Sequence, residues 1–331
     1  MPYKVAVLMG GKSHERDFSL SSGKNVCAAL ERAGHEVLPL DVTEELVNVL
    51  RAERPQVAYN ALHGRIGDDG TIQALMGVLG IPLVGCPTSV CRQTWNKSTL
   101  HAVLEDYYAG QQGAACGING VCLSQDAFKD AGAACALDLI VDAIPGGFPL
   151  VVKPAKAGSA MGMSKVETVT ELAEALLKAF TFSNEVLVQE FVEGVQLAVS
   201  VLGEAESSYA LPPVEIVPKP GKLYDTEARI NDELVDFYAP VRLESLSPDE
   251  SQAQAIRSEI ERAAVEVYQA YGCRDLARVD IIWDGARAKI LEIDVSPGMG
   301  PLSGFPMACR AAGLSLEAVL GELLDQAVYR G

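Results

Sequence analysis

Three carboxylates near the end of the chain pose the first chemical question. In "ILEIDVSPGMG" (290–300) Glu292 and Asp294 stand two residues apart in an apolar run of strand character. They therefore point the same way, and like charges side by side repel. A cation is expected beside them. "ARVDIIWDG" (277–285) supplies Asp280 on the preceding run, and the Asp-Gly between the two predicts a hairpin that gathers all three acids. Oxygen donors without Cys or His suit Mg2+ or Mn2+, which bind through a few carboxylates together with substrate phosphates. A solvated polar face is the plain alternative. The flanks Ile281, Ile282, Ile290, Leu291, Ile293 and Val295, expected on one buried side, count against it.

A second stretch, "VVKPAKAGSAMGMSKV" (151–166), is a strand that ends in a lysine and enters a loop of small residues. Gly158, Ser159, Ala160 and Gly162 would let the backbone approach an anion and aim N–H groups at it, and Lys153 would add charge. The Gly-Lys-Ser/Thr ending of a Walker loop is absent, and an ordinary hairpin loop is the competing reading. The third constellation joins "GGKSHERDFSLSSG" (10–23) to "NALHGRIGDDGT" (60–71). Glu15 lies in a glycine turn between a strand and a helix, where it could accept an ammonium group, and His63 lies at the end of another strand. Lone loop acids and histidines are commonly only solvated; the shared position of these two at strand ends is what sets them apart.

These groups need a frame. "KVAVLMGG" reads as a buried strand, "SLSSGKNVCAALERAG" as a helix, and the alternation continues through about residue 90, which predicts an open parallel α/β domain. In such sheets ligands bind beyond the carboxyl ends of the strands, where both loops of the third constellation fall. The glycine- and alanine-rich stretch 107–120 reads as a flexible connection. Strands at 148–155 and 185–192 with a helix between them make a small α+β unit, and the remainder alternates strands with a long helix over 248–272. The formal charge of −17 argues against nucleic acid or an anionic membrane as partner, and leaves any polyphosphate to be captured by local cations. No stretch approaches the roughly 18 apolar residues of a membrane span. Eight cysteines lack zinc or redox spacing and read as buried reduced thiols.

With "ALPPVEIVP" and "LEIDVSPGMGPLSGFP", these stretches stand in the order found in the D-alanine–D-alanine ligase family of ATP-grasp enzymes. The chain resembles that family over nearly its whole length, least over about 105–145. The resemblance implies a three-domain ATP-grasp fold of the α/β class. Its parts would be an N-terminal open parallel α/β domain (1–94), a small central α+β domain (95–189) and a C-terminal α+β domain (190–331). ATP would lie between the last two, and two D-alanines would be joined through an acylphosphate for peptidoglycan precursors. By position, Lys97 and Lys153 match the phosphate lysines, and Ser159 the loop that closes over the γ-phosphate. Gln189, Glu190, Phe191 and Val192 match the strand that meets adenine, with Gln196 near the ribose. Asp280, Glu292 and Asp294 match the positions of two Mg2+ or Mn2+ ions. Glu15 matches the holder of the first D-alanine's ammonium, with His63 nearby, Arg278 and the Gly298 backbone face the oxyanion, Ser303 takes the second carboxylate, and Arg229 sits in the mobile loop. A cytoplasmic homodimer is implied as well.

The chain also departs from the family pattern. Arg229-Ile230 replaces a usual Lys-Tyr, so a hydroxyl that joins Glu15 and Ser159 is missing. Gln189 and Gln196 replace glutamates, Asp294 an asparagine, and Gly304 a larger apolar residue that would border the second-substrate pocket. The last change and Ile230 keep another acceptor, D-lactate, D-serine or another amino acid, as an alternative, ahead of a non-catalytic nucleotide-binding paralogue. A dinucleotide-dependent oxidoreductase is excluded because "GGKSHE" lacks Gly-x-Gly-x-x-Gly spacing.

Overall fold

Alternate residues of the first strand enter two different cores. A computed structural model describes residues 2–331, apart from the side chains of Ala131, Ala133, Ala134, Ile230 and Asp232, so the expectation for the Ile230 side chain lies outside the described residues. Strands β1 (Lys4–Met9), β2 (Glu36–Asp41), β3 (Val57–Asn60) and β4 (Leu83–Val84) form a parallel sheet in the order β2-β1-β3-β4. Val5 and Val7 pack on the side of helices Arg16–Arg32 and Leu316–Arg330, whereas Ala6 and Leu8 pack on the side of helices Leu46–Glu53 and Thr71–Leu79. A period of two thus serves both layers. β1 and β3 end at Met9 and Asn60, so the loops carrying Glu15 and His63 leave from the same edge of the sheet.

The strand β5 (Ala115–Gly117) does not pair with the strands immediately after it. β6 (Gly120–Ser124), β7 (Leu150–Pro154), β8 (Ser164–Val166) and β9 (Glu185–Glu190) form an antiparallel sheet, order β6-β9-β7-β8, with its own core of Ile140, Leu150, Val152, Leu172, Leu176 and Val188. The third sheet holds β10 (Val195–Glu204), β11 (Tyr209–Ala210), β12 (Val214–Pro218), β13 (Val235–Tyr238), β14 (Arg274–Trp283) and β15 (Ala288–Asp294). Its order is β13-β12-β10-β14-β15-β5, with β11 beside β10. One face packs on the long helix Glu250–Ala270 and the other shares a core with the N-terminal sheet.

The sheets divide the chain differently from the limits expected at 94/95 and 189/190. Leu100, Val103 and Leu104 sit at helical spacing and are buried with Ala115 in the core of the third sheet. The helix Leu100–Tyr108 and β5 therefore belong with the C-terminal unit, and the stretch expected as a flexible connection over 107–120 contains a paired strand. All eight cysteines are free thiols, but only Cys27, Cys86, Cys91, Cys273 and Cys309 are buried; Cys122 and Cys135 are exposed.

One buried ion pair ties three of these parts together. Asp275 on β14 has no exposed surface, and its Oδ2 accepts from Arg330 Nη2 at 2.6 Å and from the Gly85 N–H at 2.7 Å. Arg330→Leu leaves that carboxylate without its cation. A loss of about 3 kcal/mol is expected, read as a lower urea midpoint at unchanged slope.

Candidate active site

The β14–β15 hairpin sets Arg278 opposite Asp294 and Asp280 opposite Glu292, with a register shift between Asp280 and Ile281. Ile281 pairs with Ile290, so Leu291 is the extra residue of a bulge. Before it, Ala288 and Ile290 face the core beneath the long helix; after it, Ile293 and Val295 do. Unbroken alternation from Ile290 would drive Glu292 and Asp294 into that core. The bulge turns both acids to the other face, where the sequence reading wanted them. It also corrects that reading: Ile282 and Leu291, expected in the core, line a cavity instead.

The positive charge expected between the acids comes from the chain itself. Arg278 donates from Nε and Nη2 to Asp280 at 2.6 and 2.9 Å, and its Nη1 lies 3.1 Å from Asp294 Oδ2. Lys97 Nζ lies 2.9 Å from Glu292 Oε2 and donates to the Ala157 carbonyl at 2.5 Å. Burial opposes ionisation of both Asp280 and Glu292. It prevails at Asp280, whose carboxyl stays above its usual range despite Arg278, whereas Lys97, Arg229 and Lys153 together hold Glu292 well below it. The all-oxygen donor set suits a hard divalent cation in kind. Among the described residues, however, no three His, Cys, Asp or Glu side chains are already gathered about one metal position.

Two chambers adjoin on this face. The larger, about 530 Å³, is lined by Glu15, His63, Ser159, Arg278, Asp294, Gly298 and Ser303. The smaller, about 140 Å³, is lined by Lys153, Gln189, Glu190, Phe191, Val192, Gln196 and Asp280, with Met161, Met163, Ile282 and Leu291 as apolar walls. Lys97, Arg229 and Glu292 border both. Every residue matched to the family's site by position thus borders one of two adjoining spaces, the smaller with apolar walls beside Lys153 and the larger rich in charge. Gln189 Nε2 is held by the Ile118 carbonyl at 3.1 Å. Arg229 stacks on Tyr224 with its guanidinium carbon 4.6 Å from the ring centre, and its Nε is buried with no hydrogen-bond partner among the described residues. An anion entering from either side would satisfy it. Gly304 borders the larger chamber, and a Cβ there would meet Ala198 at 3.5 Å and the Arg278 Cδ at 3.9 Å, both ordinary contacts, so the absent side chain leaves usable room.

Glu15 is buried, and the Ser159 hydroxyl donates a hydrogen bond to its carboxylate. Burial raises its carboxyl above the usual range; the Ser159 bond opposes this, Asp294 adds to it, and Arg229 and Lys97 pull it back. A Cβ on Gly158 would stand 2.7 Å from both Glu15 oxygens, so only glycine lets the loop come so close. His63 Nε2 lies 2.8 Å from the Ser22 hydroxyl, and burial lowers its basicity, keeping the ring neutral near pH 7. Ser22 Oγ also accepts the Met299 N–H at 3.0 Å.

Sequence reasoning missed Ser22 and Asp68. A helix starting at Ser19 leaves Ser22 in its first turn, whereas the helix begins at Arg16 and Ser22 is buried within it. Asp68 lines the larger chamber, one of its oxygens accepts the Gly64 N–H at 2.6 Å, and the other is buried without a partner among the described residues. Burial, then Asp294 and Glu15, push its carboxyl far above the usual range. Nothing in "GDDG" distinguishes it from Asp69.

Comparison with known proteins bears on this geometry. Residues 4–56 match the family described as D-ala D-ala ligase N-terminus, and residues 135–325 match D-ala D-ala ligase C-terminus. The chain is 36% identical over 331 residues to a D-alanine–D-alanine ligase of Desulforudis audaxviator, covering 100% of both. Its fold resembles a D-alanine–D-alanine ligase of Bacillus anthracis, with a TM-score of 0.76, 24% identity and coverage of 98% and 97% of the two chains. It also resembles the VanG D-Ala:D-Ser ligase of Enterococcus faecalis, with a TM-score of 0.77, 23% identity and coverage of 99% and 100%.

Lys153 makes the site pH-dependent. Burial, against Glu292, pushes its ammonium down to about 8, so the ligand-free protein loses this charge as pH rises through that value. Affinity for a nucleoside triphosphate should therefore fall above about pH 8, and Lys153→Arg should flatten the dependence. Calorimetric titration from about pH 7 to about pH 9.5 reads the difference.

Proposed function

This chain belongs to the D-alanine–D-alanine ligase family, and from that premise we propose how its two chambers divide an ATP-dependent joining of two D-alanines. The observation that carries the reading is the wall the chambers share: Lys97, Arg229 and Glu292 stand between a space for a nucleotide and a space for charged small molecules. Lys97 and Lys153 hold the phosphates, with the base among Met161, Met163, Ile282 and Leu291. Glu15 takes the ammonium of the first D-alanine. That ammonium also favours the ionised form of a carboxyl that burial alone would protonate.

The carboxylate of the first D-alanine attacks the γ-phosphorus, giving D-alanyl phosphate and ADP. The amine of the second then attacks the carbonyl carbon, and phosphate leaves as the peptide bond forms. Arg278 and the Gly298 N–H stabilise the oxyanion of that step, while Ser303 and Arg229 orient the second substrate. Asp280, Glu292 and Asp294 would hold Mg2+ or Mn2+ brought with the nucleotide; bound there, the ions neutralise phosphate oxygens. Neutral His63, oriented by Ser22, offers hydrogen bonding beside the first substrate without adding charge. The assignment of these roles is supported by the positions of all these groups around the two chambers. A cytoplasmic homodimer is part of the proposal and rests on the family; no helix of the described residues is long and apolar enough to cross a membrane.

Purified protein should consume ATP only when D-alanine is present and yield D-alanyl-D-alanine by mass. D-Alanine should be preferred over D-serine and D-lactate as acceptor despite the room at Gly304. Glu292→Ala should abolish turnover without loss of fold, and near-normal activity in that variant would refute the metal role. Glu15→Gln should raise KM for the first D-alanine at least about tenfold while leaving ATP affinity unchanged, as expected for a charged partner. Equal loss of both would make Glu15 a purely structural residue.

A further inference from the structure

Residues 223–229 roof both chambers: Leu223, Tyr224 and Arg229 line the smaller one, and Tyr224, Ala228 and Arg229 the larger. The roof needs something to hold it down. On family resemblance a tyrosine at 230 would do so, and isoleucine has no hydroxyl to offer. The structure shows another hydroxyl in the right place. Thr226 Oγ1 donates to the Ser159 carbonyl at 2.8 Å, across 67 residues of chain. Ser159 in turn donates from its own hydroxyl to Glu15. Ser159 is therefore tied at its carbonyl to Thr226 and at its hydroxyl to Glu15, two hydrogen bonds that join the C-terminal, central and N-terminal units.

Local structure frees Thr226 for this contact. Asp225 caps the short helix Thr226–Ile230 through its own side chain, which accepts the Ala228 N–H at 3.0 Å, so the threonine hydroxyl is not needed as a cap. The receiving end is a strained turn: Ser159 and Ala160 have φ of 49° and 55°, a left-handed conformation that non-glycine residues keep only where surrounding bonds enforce it. The Thr226 bond falls on the carbonyl of the first of them.

Resting on the reading of the site as a D-alanine-activating ligase, we propose that Thr226 is a positioning residue whose hydroxyl latches the roof onto the Ser159 loop and keeps water from the acylphosphate until the second amine arrives. A closed lid excludes the competing hydrolysis. Loss of the latch then appears as wasted ATP before it appears as weaker nucleotide binding.

Thr226→Val keeps the branched shape and removes the hydroxyl, whereas Thr226→Ser keeps the hydroxyl. Valine should raise the ATP hydrolysed without dipeptide formation about fivefold and lower kcat for dipeptide, with KM for ATP little changed; serine should stay within about twofold of the parent. Hydrogen exchange with a non-hydrolysable ATP analogue bound gives a second reading independent of turnover. Amides of residues 158–163 should exchange faster in the valine variant and normally in the serine variant. If the parent protein shows no D-alanine-dependent ATP turnover, the functional reading falls, and the exchange comparison still decides the latch. Coupling and exchange equal in all three proteins would overturn it.

Discussion

Burying several ionised carboxylates in one space is possible only if cations are built in with them, and Arg278 is the residue on which this arrangement turns. Its guanidinium holds Asp280 through two bonds and reaches Asp294 as well, with only 13% of its side chain exposed. A lysine could neutralise one of these acids but not span both with fixed geometry. Lys97 does the corresponding work for Glu292. Removal of Arg278 leaves Asp280 buried without its partner, which costs far more than the net worth of the pair. On the proposed reading the same cations would meet the developing negative charge of phosphoryl and acyl transfer, so that stability and chemistry would draw on one set of groups.

The distribution of cores separates what is fixed from what can move. The N-terminal sheet and one face of the C-terminal sheet share a continuous hydrophobic cluster, sealed by the helix Leu316–Arg330. The central sheet has a cluster of its own. Its Ser159 loop meets the other two units through polar contacts, to Glu15 on one side and Thr226 on the other. Packed apolar surface resists displacement, whereas a few hydrogen bonds can open and reform on the timescale of turnover. A rigid floor carrying Arg278 and the carboxylates, beneath a cover held by polar bonds, follows from that contrast.

Net charge and local charge play opposite parts. A chain at −17 repels a polyphosphate at long range, yet Lys97 and Arg229 stand where the two chambers meet and Lys153 lines the smaller one. On the proposed reading, recognition of the anion would be confined to the cleft. Lys153 shows the cost of that concentration: buried beside Lys97, it holds its proton less tightly than a surface lysine even with Glu292 near.

The sequence by itself determined the class of fold, the hairpin bearing the three acids, the small-residue loop after Lys153 and the strand-end positions of Glu15 and His63. Each of these is written in local periodicity or turn chemistry, which a short window of residues contains in full. It could not place the helix Leu100–Tyr108 and β5 in the C-terminal unit, because a buried helical face does not say which core covers it. It missed the bulge at Leu291, since bulges arise from how two strands are brought into register. Asp68, Ser22 and Thr226 were invisible for a related reason: in a loop or on a helix turn, Asp, Ser and Thr are ordinary surface residues. Their roles come from partners dozens to hundreds of residues away, and only the tertiary structure decides which distant groups face one another.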